Sequence, residues 1–109
     1  MRLGTVIGRV TLSEKEPAYS HGTLLLVQPW TRREFTANSG RPLTDVSVAP
    51  PLPPGSTVVV FDEIGAGPGN VIGFTEGAEA AQPFTGDAPV DAYAACIIHQ
   101  VEYRPPVPS

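Results

Sequence analysis

At 109 residues, with 41% hydrophobic residues and a net charge of −4, the chain has the length of one domain with a modest core. Its basic residues, six arginines and the single Lys15, cluster nowhere beyond Arg32 and Arg33, which argues against a nucleic-acid partner. One cysteine, Cys96, excludes an intrachain disulfide and a cysteine metal cluster.

A lone thiol fits a reducing cytosol. The opening "MRLGTVIGRVTL" lacks a signal-peptide pattern, and no window approaches ~18 consecutive apolar residues, so the expectation is a soluble, intracellular protein with no membrane span. Thirteen prolines and eleven glycines leave little room for long helices, because each interrupts or weakens the helical ladder. The composition therefore predicts an all-β domain.

In chain order, the first strand is expected over Leu3 to Leu12, with Val6, Val10 and Leu12 on one face and Leu3, Thr5 and Ile7 on the other. Gly4 and Gly8 mark a bend or a close approach of another backbone, as a strand curling into a small barrel requires. Ser13 to Gly22 is polar and reads as a loop. "TLLLVQPW" (Thr23 to Trp30) is long enough for a strand and too short for a stable helix. "TRREFTANSG" (Thr31 to Gly40) reads as an exposed connection. A short alternating piece around Val46 and Val48 is followed by Pro50, Pro51, Pro53 and Pro54, a stiff segment suited to a projecting loop or edge hairpin.

"TVVVFDEI" (Thr57 to Ile64) and "NVIGFTEG" (Asn70 to Gly77) are strand-like and flank a glycine-rich loop. Ala78 to Phe84 could hold one helical turn before Pro83 stops it, and "TGDAP" is a turn. Val90 to Tyr103 is read as a long final strand, and residues 104–109 as a proline-rich tail beyond a single domain of residues 1–103.

The loop "GAGPGN" invites comparison with a phosphate cradle. The dinucleotide fingerprint needs G-x-G-x-x-G between a strand and a helix, whose N-terminus holds the pyrophosphate. Here Gly65, Gly67 and Gly69 give G-x-G-x-G, Asn70 stands where the third glycine should be, and a strand pattern follows. No lysine exists after Lys15, so a Walker loop fails as well. A tight turn in which glycines supply positive φ is the favoured reading.

Other chemistry is sparse. His21 belongs to a loop; His99 sits among apolar residues of the last element and suits a packed or interface position, and the two make a weak metal site. Cys96 and His99, three apart in a strand, would face opposite sides, as would Asp62 and Glu63. Asp87 and Asp91 suit turns and caps. No serine sits in a nucleophile-elbow pattern. No catalytic residue, metal ligand or cofactor site is assigned.

Four segments in order, "MRLGTVIGRV", "KEP" with "LLLVQP", the "GAGPGN" loop and "APVDAYAACIIHQVE", together resemble the EutN/CcmL family, pentameric vertex proteins of bacterial microcompartment shells. The resemblance implies a small five-stranded, OB-like β-barrel with a short helical turn, assembling as a cyclic homopentamer that carries no catalysis. It also implies hexameric shell tiles as partners, with neither nucleic acid nor membrane, and a place in the microcompartment shell within the bacterial cytoplasm. Apolar residues on both strand faces would then serve the barrel core and the neighbouring subunit. Gly65, Ala66, Gly67 and Gly69 match the family's glycine loop, which implies a subunit-interface or pore-loop position. Gly4 and Gly8 match its opening strand, and Pro89, Val90 and Asp91 the entry to its last. Two departures stand out: Gly77 to Ala81 reads "GAEAA" in place of a Gly-Ser-Ser-Ala-Arg-like segment, and the stretch of residues 31–56 is longer than usual. The rival readings are an OB-like module binding a ligand or single-stranded nucleic acid, and a small enzyme using His99 or the Asp62 region.

Overall fold

The β-branched and apolar runs do become strands in the computed structural model, which describes residues 1–10, 22–43, 56–77 and 92–104. In chain order the elements are β1 (Arg2–Val10), β2 (Thr23–Pro29), α1 (Arg32–Asn38), β3 (Val58–Asp62), β4 (Val71–Glu76) and β5 (Ala92–Ile97). The strands close into a barrel in the order β1-β2-β3-β5-β4, as the OB-like expectation requires. Every neighbouring pair is antiparallel except β3 with β5, a parallel seam with one register pair, Phe61 opposite Tyr93.

Alternation along the strands fills the barrel. Val6, Leu25, Val27, Val60, Ile72 and Phe74 point inward, with the small Ala92 and Ala94 leaving room for the Phe74 ring. Tight curvature makes its own demand on β1. A Cβ on Gly4 would lie 2.5 Å from Val27 Cγ1 and 3.0 Å from the Gln28 carbonyl oxygen, so only glycine fits that approach. The register then slips between Val6 and Gly8, which leaves Ile7 as a bulge that bends the strand.

A second apolar cluster lies outside the barrel. Trp30, Leu43 and Val71 form its centre, with Leu3, Phe35, Ile98 and Val101 packed around them. The Trp30 ring meets Phe35 edge-on at 5.3 Å, and its Nε1 donates to the Thr5 hydroxyl at 2.8 Å. Thus Leu3 of β1 and Val71 of β4, which point away from the barrel interior, are packed against the chain's own residues. Val59, Ile64 and Ile97 remain the large apolar side chains exposed among the described residues, besides Met1. Thr5→Val keeps the volume and strips the indole of its acceptor. The expected cost is about 1–3 kcal/mol in urea unfolding followed by Trp30 fluorescence, with Thr5→Ser nearer the parent.

Two expectations need correction. Thr31 to Gly40 is not an exposed connection: residues 32–38 form α1. The local cause is Glu34, whose Oε1 accepts from the Thr31 backbone N–H at 2.6 Å and from its hydroxyl at 2.5 Å, the Thr-x-x-Glu arrangement of a helix start. Asn38, fully buried, donates from Nδ2 to the Glu34 carbonyl at 2.7 Å. The final element is likewise shorter than expected, because β5 stops at Ile97. Residues 98–103 instead clasp the segment after α1: Leu43 N–H donates to the His99 carbonyl and Gly40 N–H to the Val101 carbonyl, both at 2.8 Å. Ser39 Oγ accepts from Tyr103 N–H at 2.8 Å. Ile98 and Val101 gain more by entering the second cluster than by extending a strand with no partner.

The helical turn expected at Ala78 to Phe84, the piece around Val46 and Val48, the proline cluster and the tail beyond Arg104 lie outside the described residues. Among the described residues no helix is long and apolar enough to cross a membrane.

Candidate functional site

The loop from Glu63 to Asn70 joins β3 to β4, and its geometry follows from two polar side chains. Asp62, the buried last residue of β3, turns its carboxylate into the loop. Oδ2 accepts from the N–H groups of Gly65 and Ala66, each at 3.0 Å, and Oδ1 from Ile64 at 3.3 Å. From the other end Asn70 Oδ1 accepts from Gly67 N–H at 2.9 Å, and Asn70 N–H donates to the Gly67 carbonyl at 3.0 Å. Gly69 N–H donates to the Val6 carbonyl and Val6 N–H to that of Asn70, both at 2.8 Å, which pins the loop to β1.

Every backbone N–H from Ile64 to Asn70 is therefore spent inside the chain, Pro68 having none. A phosphate cradle needs such groups free and a helix behind them; here an anionic carboxylate holds them and β4 follows. The sequence-based dismissal of nucleotide binding thus acquires a second, stronger reason. Asn70, which breaks the fingerprint, is the residue that closes the turn.

The four expected loop residues differ in role. Gly65 (φ +88°) and Gly69 (φ +92°) occupy the left-handed region, where a side chain is strained. Ala66 is 3% exposed and packs in the barrel core, which anchors the loop. Gly67 is half-buried, and among the described residues a Cβ there would meet only Arg9 Nη2, at 3.3 Å.

Asp62 and Glu63 diverge as expected. Glu63 is exposed and accepts from the Tyr93 hydroxyl at 2.9 Å, bracing the parallel seam beside the tilted Phe61–Tyr93 ring pair at 6.1 Å. Burial first, and then the Glu63 acceptor, holds the Tyr93 phenol above its ordinary pKa. The two carboxylates share no open space, so they cannot flank one bond. What sequence reasoning missed was the bond-accepting role of Asp62. The signal was present: an aspartate followed within four positions by glycine marks a side chain that accepts from its own loop.

His99 follows β5 and is not part of it; its side chain is exposed, and its carbonyl makes the structural contact. Cys96 is half-buried against Gly73, on which a Cβ would come within 2.9 Å of the Cys96 sulfur. Among the described residues no three of His, Cys, Asp or Glu converge on a metal position. Among the described residues the aromatic rings pack on one another, Phe35 meeting Tyr103 at 5.8 Å beside Trp30, and do not form a row of free stacking faces.

Residues 1–99 match the protein family described as "Ethanolamine utilisation protein EutN/carboxysome". The chain belongs to the EutN/CcmL family. Similar solved structures agree. The GrpN pentameric microcompartment shell protein from Rhodospirillum rubrum is 31% identical, covers 95% of this chain and 100% of its own, and has a TM-score of 0.69. CcmL of Gloeobacter violaceus is 30% identical over 90% of this chain and 84% of its own, with a TM-score of 0.64. EutN of Escherichia coli is 26% identical with the same coverages and TM-score. No curated protein sequence matched. The EutN/CcmL barrel is thus present in full, and the glycine loop sits between its third and fourth strands.

Proposed function

We propose that this chain is a structural, non-catalytic shell protein that closes the five-fold vertices of a bacterial microcompartment as a ring of five copies. The observation that carries the reading is the likeness, over 95% of the chain, to a pentameric microcompartment shell protein. Flat hexagonal tiling cannot close a polyhedron without five-fold units, and a cyclic ring supplies them through one head-to-tail contact repeated five times. Hexameric or pseudohexameric shell proteins are the partners this role requires, and the bacterial cytoplasm is where such a shell resides. Native mass spectrometry of the purified chain should give five times 11.5 kDa; a strictly monomeric species at micromolar concentration would sink the reading.

In this ring the glycine loop packs at a subunit contact centred on Gly67, where, among the described residues, a side chain would meet only Arg9. Gly67→Val tests this cleanly. Its φ is ordinary, and its new Cβ meets only the far end of a flexible arginine, so the barrel should unfold at nearly the parent urea concentration. Assembly, by contrast, should be lost or weakened at least tenfold. Normal pentamers from Gly67→Val would show that the loop lies away from the contact.

A further inference from the structure

We infer that successive copies in the ring meet through two different apolar patches: the barrel end beside the glycine loop, with Ile64 and Ile97, docks on the side wall of the next copy around Val59 and Leu26. The inference rests on the ring reading above and names the two faces of its contact. Apart from Met1, the large apolar side chains exposed among the described residues are Val59 (47%), Ile64 (43%) and Ile97 (40%). Single exposed apolar residues are ordinary on a protein surface. These three are not scattered singly, because register and topology set them in two groups.

The wall group follows from strand alternation. Leu25, Val27 and Val60 fill the barrel, so Leu24, Leu26 and Val59 stand on its outside. Val59 lies opposite Leu26, and Leu24 opposite Val10, so these four share one stretch of outer wall across β1, β2 and β3. Leu24, Leu26 and Val10 are half-buried and Val59 is exposed. The end group follows from the parallel seam. Phe61 is opposite Tyr93 and the two strands run the same way, so Ile64 and Ile97, a few residues further on, emerge at one end of the barrel. The glycine loop crosses that end on its way to β4, whose Ile72 lies opposite Ile97, so the end group continues the Gly67 contact.

A two-fold dimer uses one surface twice, whereas a head-to-tail contact uses two different surfaces of the same chain. Two apolar patches on separate faces therefore suit a ring. Their placement matters as well. An end and a side wall are inclined to each other, so joining them turns each copy relative to the last, and the series can close. Patches on opposite faces would stack the copies into a filament. Removal of these side chains from water drives the contact.

The test uses two variants of the full chain, each blocking one face: Val59→Glu for the wall and Ile64→Glu for the end. Both positions are exposed, so the barrel should keep its near-ultraviolet circular dichroism and its Trp30 fluorescence. A carboxylate is strongly disfavoured in an apolar contact, so each variant alone should need at least about tenfold more protein to assemble, read by sedimentation velocity. Mixed in equal amounts, the two should pair one to one. The intact end of the Val59→Glu chain fits the intact wall of the Ile64→Glu chain, and the blocked faces stop further growth. This mixed association should be at least about tenfold tighter than that of either variant with itself. Val59→Thr, which keeps a strand-favouring shape, serves if the glutamate disturbs β3, and should weaken assembly about threefold or more. Rings from either Glu variant at the parent concentration would overturn the proposal and leave the ring reading intact. A mixture that associates no better than its components would do the same. A wild-type chain that forms no ring would overturn both. Normal rings that lose binding to a hexameric shell protein would overturn it by assigning the patches to that partner.

Discussion

Asp62→Ala is expected to release the glycine loop and to cost about 2–4 kcal/mol in urea unfolding, because three backbone N–H groups lose one acceptor pair at a position 2% exposed. Ala66 suffers most, since its N–H is carried by a residue packed in the barrel core and has no water to turn to. Amide exchange at Gly65 and Ala66 should quicken by far more than exchange at Val60 or Ile72, which would separate loop release from global loss. Asp62→Asn retains the shape and one acceptor oxygen but aims an amide N–H at a backbone N–H, so an intermediate cost is expected. An Asp62→Ala barrel within about 0.5 kcal/mol of the parent, with protected loop amides, would mean that other contacts hold the loop.

A larger effect is expected from Gly4→Val. The Cβ alone would sit 2.5 Å from Val27 Cγ1, 3.0 Å from the Gln28 carbonyl oxygen and 3.1 Å from Phe74 Cε1. Val27 could rotate, but the carbonyl is backbone held in the ladder with β2, and Phe74 is fully buried, so neither can yield without opening the barrel. Overpacking at such a point costs about 3 kcal/mol or more, a large fraction of the stability of a domain of this size. Gly8→Val is the control, because a Cβ there meets only Leu26 Cβ at 3.9 Å and valine suits a strand. Its expected effect is within about 1 kcal/mol of zero. Soluble yield and urea midpoints of the pair decide the matter: equal behaviour would refute the close approach at Gly4.

Much of the barrel was legible. Runs such as "TVVVFD" and "VIGF" announce strands through β-branching, and both do form strands, β3 and β4. The turn was legible too, since Gly65 and Gly69 take the positive φ that glycines between strands imply. Helix α1 was harder. Seven residues are too few for apolar periodicity to show, although Thr31 and Glu34 spelled its start. The site's polar logic was half-legible: Asn70 read as a missing glycine, and Asp62 as a possible acid, when both are acceptors for the loop between them.

By itself, then, the sequence determined the all-β class, the strand character of the β-branched runs, the glycine turn and the absence of a phosphate-binding pattern, because these depend on residues within a few positions of one another. Only the tertiary structure decided that β3 and β5 close a parallel seam, that Ser39 and Tyr103 meet across 64 positions, and that Leu3 of β1 and Val71 of β4 are packed against the chain's own residues. Contacts of that separation are chosen by total burial and loop closure, not by local preference.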